Sequence, residues 1–247
     1  MAVCKRQKAV SGRVIGMTML LFSAFFQLPS AFAAPPNSVL ATYDVYRGSL
    51  KIGQIDESFT RDKNRYTLSS TTRAIGLLAI FKPGKILINS SGLIGAKGLL
   101  PLRFSDQREG EESRNRRADF DWDTKQLTLI QPTNRTVVAL PDDTQDRLSA
   151  MYQFMFLSLK PSTTLYFPMT NGSKLDNYSY AIFLKQKLKT PAGEFETLYL
   201  DNQAKKGESR TEIWLATEHH NLPCKMTITD ADGDQITQIL NKLSISP

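Results

Sequence analysis

From Val39 to Ile245, apolar and polar residues alternate in short runs, and clusters of Gly, Pro, Asn or Asp close most of those runs. Alternation with a period of two is the signature of half-buried β-strands, because successive side chains point to opposite faces. Val39, Ala41, Tyr43 and Val45 fall on one side of a first strand, and Leu50 to Phe59 returns after Arg47-Gly48-Ser49. Ala118, Phe120 and Trp122 alternate with Asp119, Asp121 and Asp123 in the cleanest strand pattern of the chain. Asp232-Gly233 between Lys225–Thr229 and Gln235–Ile245 is a strong hairpin signal, and Pro191-Ala192-Gly193 is another. The mixed charges of Gln107 to Arg117 read as a solvated hairpin tip. Short connections of this kind join antiparallel neighbours. About a dozen such strands predict a strongly curved antiparallel sheet, an open or half β-barrel, since wide twisted sheets curl.

One segment breaks the pattern. Asp142 to Leu159 places Leu148, Met151, Tyr152, Met155 and Leu159 at helical spacing, behind a run of acids that suits a helix N-terminus. The spacing predicts a central helix over about 143–159, capped by Asp143 or Thr144 and ended by Lys160-Pro161. An apolar helix in a strand-rich chain needs a partner, and the concave face of a curved sheet supplies one. A second interruption, Ile75-Gly76-Leu77-Leu78-Ala79-Ile80-Phe81, is nearly continuous apolar sequence. It reads as a buried strand or short helical turn, or as an apolar flap at a cavity mouth.

The N-terminus reads as a targeting segment. Lys5, Arg6, Lys8 and Arg13 precede the apolar run Met17–Phe26, and Pro29 with Ala31-Phe32-Ala33 forms a cleavage-type site. Residues 1–33 are therefore expected to be a cleavable signal peptide, and 34–247 a single β-rich domain. The apolar run is shorter than the roughly 20 residues of a membrane span, and no later stretch offers one, so no transmembrane span is expected after cleavage. Of the formal charge of +7, the leader contributes four basic residues. The remainder is mildly basic and gives no reason to invoke nucleic acid. Cleavage also removes Cys4 and leaves Cys224, which reads as a small buried hydrophobe rather than a nucleophile.

No chemistry-bearing pattern stands out. Asp230, Asp232 and Asp234 imitate the start of a calcium loop, but Gln235 and Asn241 occupy the positions where the pattern needs Gly and Glu. His219 and His220 are the only histidines, and no Cys or His elsewhere in the mature chain could complete a zinc site with them. No nucleophile elbow and no phosphate-cradling glycine loop is present. No catalytic residue, metal or cofactor is predicted.

Several stretches, taken in order, resemble a known family: Tyr43-Asp44-Val45-Tyr46-Arg47-Gly48 with Ile52-Gly53, Gly98-Leu99-Leu100-Pro101, Gln145-Asp146-Arg147-Leu148-Ser149, and Thr211 to Ala216 followed by Leu222-Pro223-Cys224-Lys225 and Asp232-Gly233. Together they resemble the bacterial exported family known as domain of unknown function 3108. The resemblance implies a Gram-negative periplasmic setting and brings no established activity. The expected shape is similar to the half-barrels of periplasmic lipoprotein carriers, a likeness of fold alone. The leading expectation is a non-enzymatic periplasmic binding protein that holds an acyl chain or apolar segment between sheet and helix. Leu148, Met151 and Met155 would line the site, with Leu77, Leu78, Ile80 and Phe81 as a movable rim. The alternatives are an envelope scaffold that contacts another envelope protein and a hydrolase using His219 or His220.

Overall fold

The structure, a computed structural model, describes residues 1–2, 35–76, 79–80 and 84–247. Residues 34–247 form one compact unit. Its strands β1 to β8 span Ser38–Arg47, Leu50–Asp62, Arg65–Ala74, Lys85–Gly95, Gly98–Arg108, Arg116–Asp121, Gln126–Gln131 and Asn134–Ala139. Strands β9 to β15 span Gln145–Asp146, Thr164–Thr170, Leu175–Thr190, Gly193–Asp201, Arg210–Ala216, Leu222–Thr229 and Gln235–Ser246. All belong to one 15-stranded sheet in the order β8-β7-β6-β5-β4-β3-β2-β1-β15-β14-β13-β12-β11-β10-β9. Two meanders therefore meet in the middle, where β1 pairs antiparallel with β15 from Ser38↔Ser246 to Arg47↔Ile236. Every neighbour is antiparallel except β9 on β10. The sheet is mainly antiparallel and open, with β8 and β9 as its edges.

The sheet curls without closing. In strand order β9 lies eleven places from β5, which at about 4.8 Å per strand would be roughly 50 Å across a flat sheet. Yet Gln145 Nε2 in β9 donates to the Leu99 carbonyl in β5 at 2.9 Å, and Ser90 Oγ in β4 donates to Asp146 Oδ2 at 2.5 Å. Only strong curvature reconciles the two. Bulges between Thr42 and Tyr43, Val45 and Tyr46, Ser91 and Gly92, and Trp214 and Leu215 supply local bends.

The helix is much shorter than the expected 143–159. Helix α1 covers Ser149–Gln153, and a 3-10 turn continues it over Phe154–Phe156. The reason lies in the preceding residues: Gln145 and Asp146 are spent on the parallel bridge to Met169 and Thr170, so helical geometry cannot begin before them. Asp142 and Asp143 are not caps, as they pair with Lys125 and Lys97 at the surface. The capping carboxylate is Asp146, whose Oδ1 accepts the Leu148 and Ser149 amides at 2.9 and 2.8 Å. At the other end, Leu157 turns extended and the Asn221 amide leans toward the Phe154 and Leu157 carbonyls.

A five-residue helix has no stability of its own. Packing holds it. Leu148, Tyr152 and Met155 share one core cluster with Val39, Phe59, Tyr66 and Leu68 of β1 to β3. Phe154 belongs to another, with Tyr180, Ile182, Leu198 and Leu200 of β11 and β12. Met151 packs against both. The Tyr152 ring stacks on Phe59 with centroids 5.8 Å apart.

In the second apolar interruption, Ala79 N donates to the Gly76 carbonyl at 3.2 Å, a helical turn, and Ile80 is 72% exposed. Leu77, Leu78 and Phe81 lie outside the described residues.

The β4–β5 turn is clamped to the helix. Gln153 Oε1 accepts the Leu99 amide and Gln153 Nε2 donates to the Lys97 carbonyl, both at 2.7 Å. Gly98 sits between them at φ +107°, where a Cβ would meet Gln153 and Phe156 atoms at 2.5 to 2.8 Å. Gly98→Ala is therefore expected to destabilise the fold by about 1–3 kcal/mol through backbone strain and overpacking. Chemical denaturation measures the loss; an unchanged midpoint would contradict this account of the clamp.

Candidate functional site

Alternation along the strands brings pairs of residues two apart onto the concave face. Ile55 and Glu57, Ser70 and Thr72, Ile86 and Ile88 come from β2 to β4, and Tyr178 and Tyr180, Met226 and Ile228, Ile236 and Gln238 from β11, β14 and β15. With Leu148 and Met151 from the helix segment they line a groove of about 570 Å³. That volume falls within the range of about 300–1,000 Å³ usual for small-molecule sites. The walls mix apolar side chains with many polar ones, among them Thr72, Asn202, Thr211 and Gln238.

The expected site residues separate here. Leu148 and Met151 are among the lining residues, Leu148 while being core itself at 4% exposure, whereas Met155, at 3%, is absent from the lining. Ile80 lies outside the lining. Sequence reasoning missed Arg147, Arg108 and Glu57, because charged residues in strand-like stretches, and off the apolar face of the expected helix, read as solvent-facing.

Glu57 is the acidic residue of the lining. Ser70 Oγ donates to its Oε1 at 3.0 Å and the Tyr152 hydroxyl to its Oε2 at 3.1 Å. Burial raises its pKa above the ordinary carboxyl value, and those two hydrogen bonds only partly offset the rise. Asp146, which precedes the groove-lining Arg147, is fully buried. Its pKa is also raised by burial, against the opposing hydrogen bonds from Ser90, Ser149 and Leu148. Next to it, Arg147 reaches across to fully buried Asp106, Nη2 to Oδ2 at 3.0 Å, while burial pulls its guanidinium pKa down.

Other depressions have separate linings. A depression of about 330 Å³ is lined by Phe154, Phe156, Leu165, Tyr166 and Phe167. A larger one, about 860 Å³, carries Arg65, Arg103 and Arg117 with Asp119 on β3, β5 and β6. The last contains no helix residue.

The residues considered for catalysis have structural surroundings. Cys224 is fully buried, its Sγ–H reaches the Trp214 carbonyl at 3.4 Å, and burial pushes its thiol pKa up to about 12. The His219 ring packs edge-on against Phe195 with centroids 5.4 Å apart. His220 occupies a left-handed position at φ 55°, and burial followed by the neighbouring His219 lowers its pKa. Among the described residues neither ring is hydrogen-bonded to a serine or a carboxylate, and no group of three or more His, Cys, Asp and Glu is placed to hold a metal. Asp230 Oδ1 accepts the Asp232 and Asp234 amides, so it organises the β14–β15 turn. No helix among the described residues is long and apolar enough to cross a membrane.

The model of a family described as protein of unknown function DUF3108 matches residues 42–240, and the chain belongs to that family. No curated protein matches. Among solved structures, similarity is found to a candidate exported protein with a YmcC-like fold from Bacteroides fragilis. It is 10% identical, with a TM-score of 0.35 over 85% of this chain and 96% of that one. A candidate lipoprotein from Parabacteroides distasonis is 9% identical, with a TM-score of 0.37 over 85% and 97% of the two chains.

Glu57 gives the groove a measurable pH signature. A carboxyl group whose pKa is raised in the folded state binds its proton more tightly there than when unfolded. Its ionisation then lowers stability as pH rises from about 4.5 through the raised value. Glu57→Gln, which keeps hydrogen-bonding groups but cannot ionise, is expected to gain stability relative to the parent across that window. Urea denaturation at a series of pH values tests this; a difference independent of pH would exclude the raised pKa.

Proposed function

We propose that this member of the DUF3108 family is an exported, non-enzymatic binding protein that holds an acyl chain or apolar segment in the groove between sheet and helix. The observation that carries this reading is the groove of about 570 Å³, lined by Leu148 and Met151 together with strands from both halves of the sheet. In this reading the sheet works as a half-barrel wrapped around the helix, and α1 is both core and groove wall. Methionines at 151, 169 and 226 suit an adaptable apolar lining, since the unbranched thioether fits chains of varied shape. Residues 1–33 would act as a cleaved signal peptide and 34–247 as a periplasmic domain, on the strength of the basic leader, the apolar run and Ala31-Phe32-Ala33. The apolar stretch around Ile80 would be a movable rim that includes Leu77, Leu78 and Phe81.

Native mass spectrometry of protein purified from the periplasm, followed by lipid extraction, tests the reading. A bound species of lipid mass is expected. Met151→Trp, which fills the groove, should lower its occupancy at least about tenfold without unfolding the protein. Protein that carries no ligand and gains none from added lipid would overturn the proposal.

A second reading has one observation in its favour. Edge strand β8 is exposed at five of its six residues, with Val137 52% accessible, and an open edge is a template for strand addition. An envelope scaffold would use it. A photocrosslinker at Val137 in cells should then trap one discrete protein partner, whereas only self-linked or no products would remove this reading.

A further inference from the structure

The groove has a charged corner as well as apolar walls. Arg147 and Arg108 both line it, and both guanidinium groups approach the same buried oxygen, Asp106 Oδ2, at 3.0 and 3.4 Å. Two cations thus share one anion. Arg116, opposite Asp106 in the β5–β6 register, adds a third cation near Arg147, and Asp146 a second carboxylate. With arginines permanently charged, the corner keeps a surplus of about one positive charge.

Of the carboxylates nearby, Asp106 keeps one buried oxygen, Oδ1, without a hydrogen-bond partner among the described residues, while the other two are engaged. Asp146 is bound by Ser90 and by the Leu148 and Ser149 amides, and Glu57 by Ser70 and Tyr152. Arg147, by contrast, retains donor capacity. Its Nε–H is buried without a hydrogen-bond partner among the described residues, and its side chain is 32% exposed where it lines the groove. A guanidinium presents its donors in a planar fork that matches the oxygens of a carboxylate or phosphate.

We infer that the occupant of the groove is an amphiphile with an anionic head, its oxyanion held at Arg147 and Arg108 and its chain laid along Leu148, Met151, Met226 and Ile236. The inference rests on the proposed binding function and narrows it to a ligand class. A neutral chain would leave the surplus charge in a low-dielectric corner unmatched. A long-chain carboxylate and a lipid phosphate present the same chemistry to this fork.

The test compares heads on one kind of tail. Displacement of a fluorescent apolar probe is measured with palmitate, with palmitoyl lysophosphatidate and with hexadecanol, each below its critical micelle concentration. At least one of the anions is expected to bind about tenfold or more tighter than hexadecanol, and the stronger of the two identifies the source of the oxyanion. Arg147→Gln should abolish that preference while hexadecanol binding stays unchanged. If Arg147→Gln does not fold because buried Asp106 is left with the more distant Arg108 alone, the double variant D106N/R147Q removes both charges and should lose the preference in the same way. Equal binding of hexadecanol and both anions would overturn the anionic head but leave the apolar groove standing. No binding of any of the three would overturn the groove function and this inference together.

Discussion

The structure turns on one buried carboxylate. Asp146 lies at the edge of the sheet, bridged through its backbone to Thr170 of β10, while its side chain accepts Ser90 Oγ from β4. Its other oxygen takes the Leu148 and Ser149 amides and so starts α1. One residue therefore ties the late half of the sheet to the early half and sets where the helix begins. Burying a carboxylate is costly unless each lone pair is met, and removing a partner from a buried charge costs about 3–5 kcal/mol. The alternatives open to this segment, a flat sheet or a longer helix, would leave Asp146 without those partners. The raised pKa shows that hydrogen bonding does not fully offset the desolvation.

The groove follows from the same constraint. Drawing β9 toward β4 and β5 bends the sheet so that inward residues from distant strands face one another across a space one short helix does not fill. Tyr152 and Met155 occupy the part nearest β1 to β3, and Phe154 the part nearest β11 and β12. Leu148 and Met151 are left facing the remaining volume. Core and cavity are thus two sides of a single segment. Arg147 reaches Asp106 because it follows Asp146 directly, which fixes a cation at the boundary between packed and open regions.

Much of the strand order was legible in the sequence, because period-two alternation survives wherever one face is buried. The Ala118–Phe120–Trp122 pattern and the Asp232-Gly233 turn fall where β6 and the β14–β15 connection are found. The helix was legible in type but not in length. Acids at 142 and 143 look like caps by position, yet their partners are lysines 97 and 125, brought near only by the fold. The true cap, Asp146, was hidden within the apolar-periodic window. Groove polarity was the least legible part. Glu57, Arg108 and Arg147 pass for surface charges until the sheet curls, and no local signal separates an inward charge from an outward one.

The meeting of β1 with β15 in the middle of the sheet has a kinetic consequence. Val39 pairs with Ile245, so the seam that joins the two meanders closes over almost the whole length of the domain. Hairpins within each meander form from local contacts, but the seam must meet nearly the largest loop-closure entropy the chain offers. Synthesis runs from the N-terminus, so β1 waits with one edge unpaired until the last strand is made. During that interval its free edge is a template to which another chain can add.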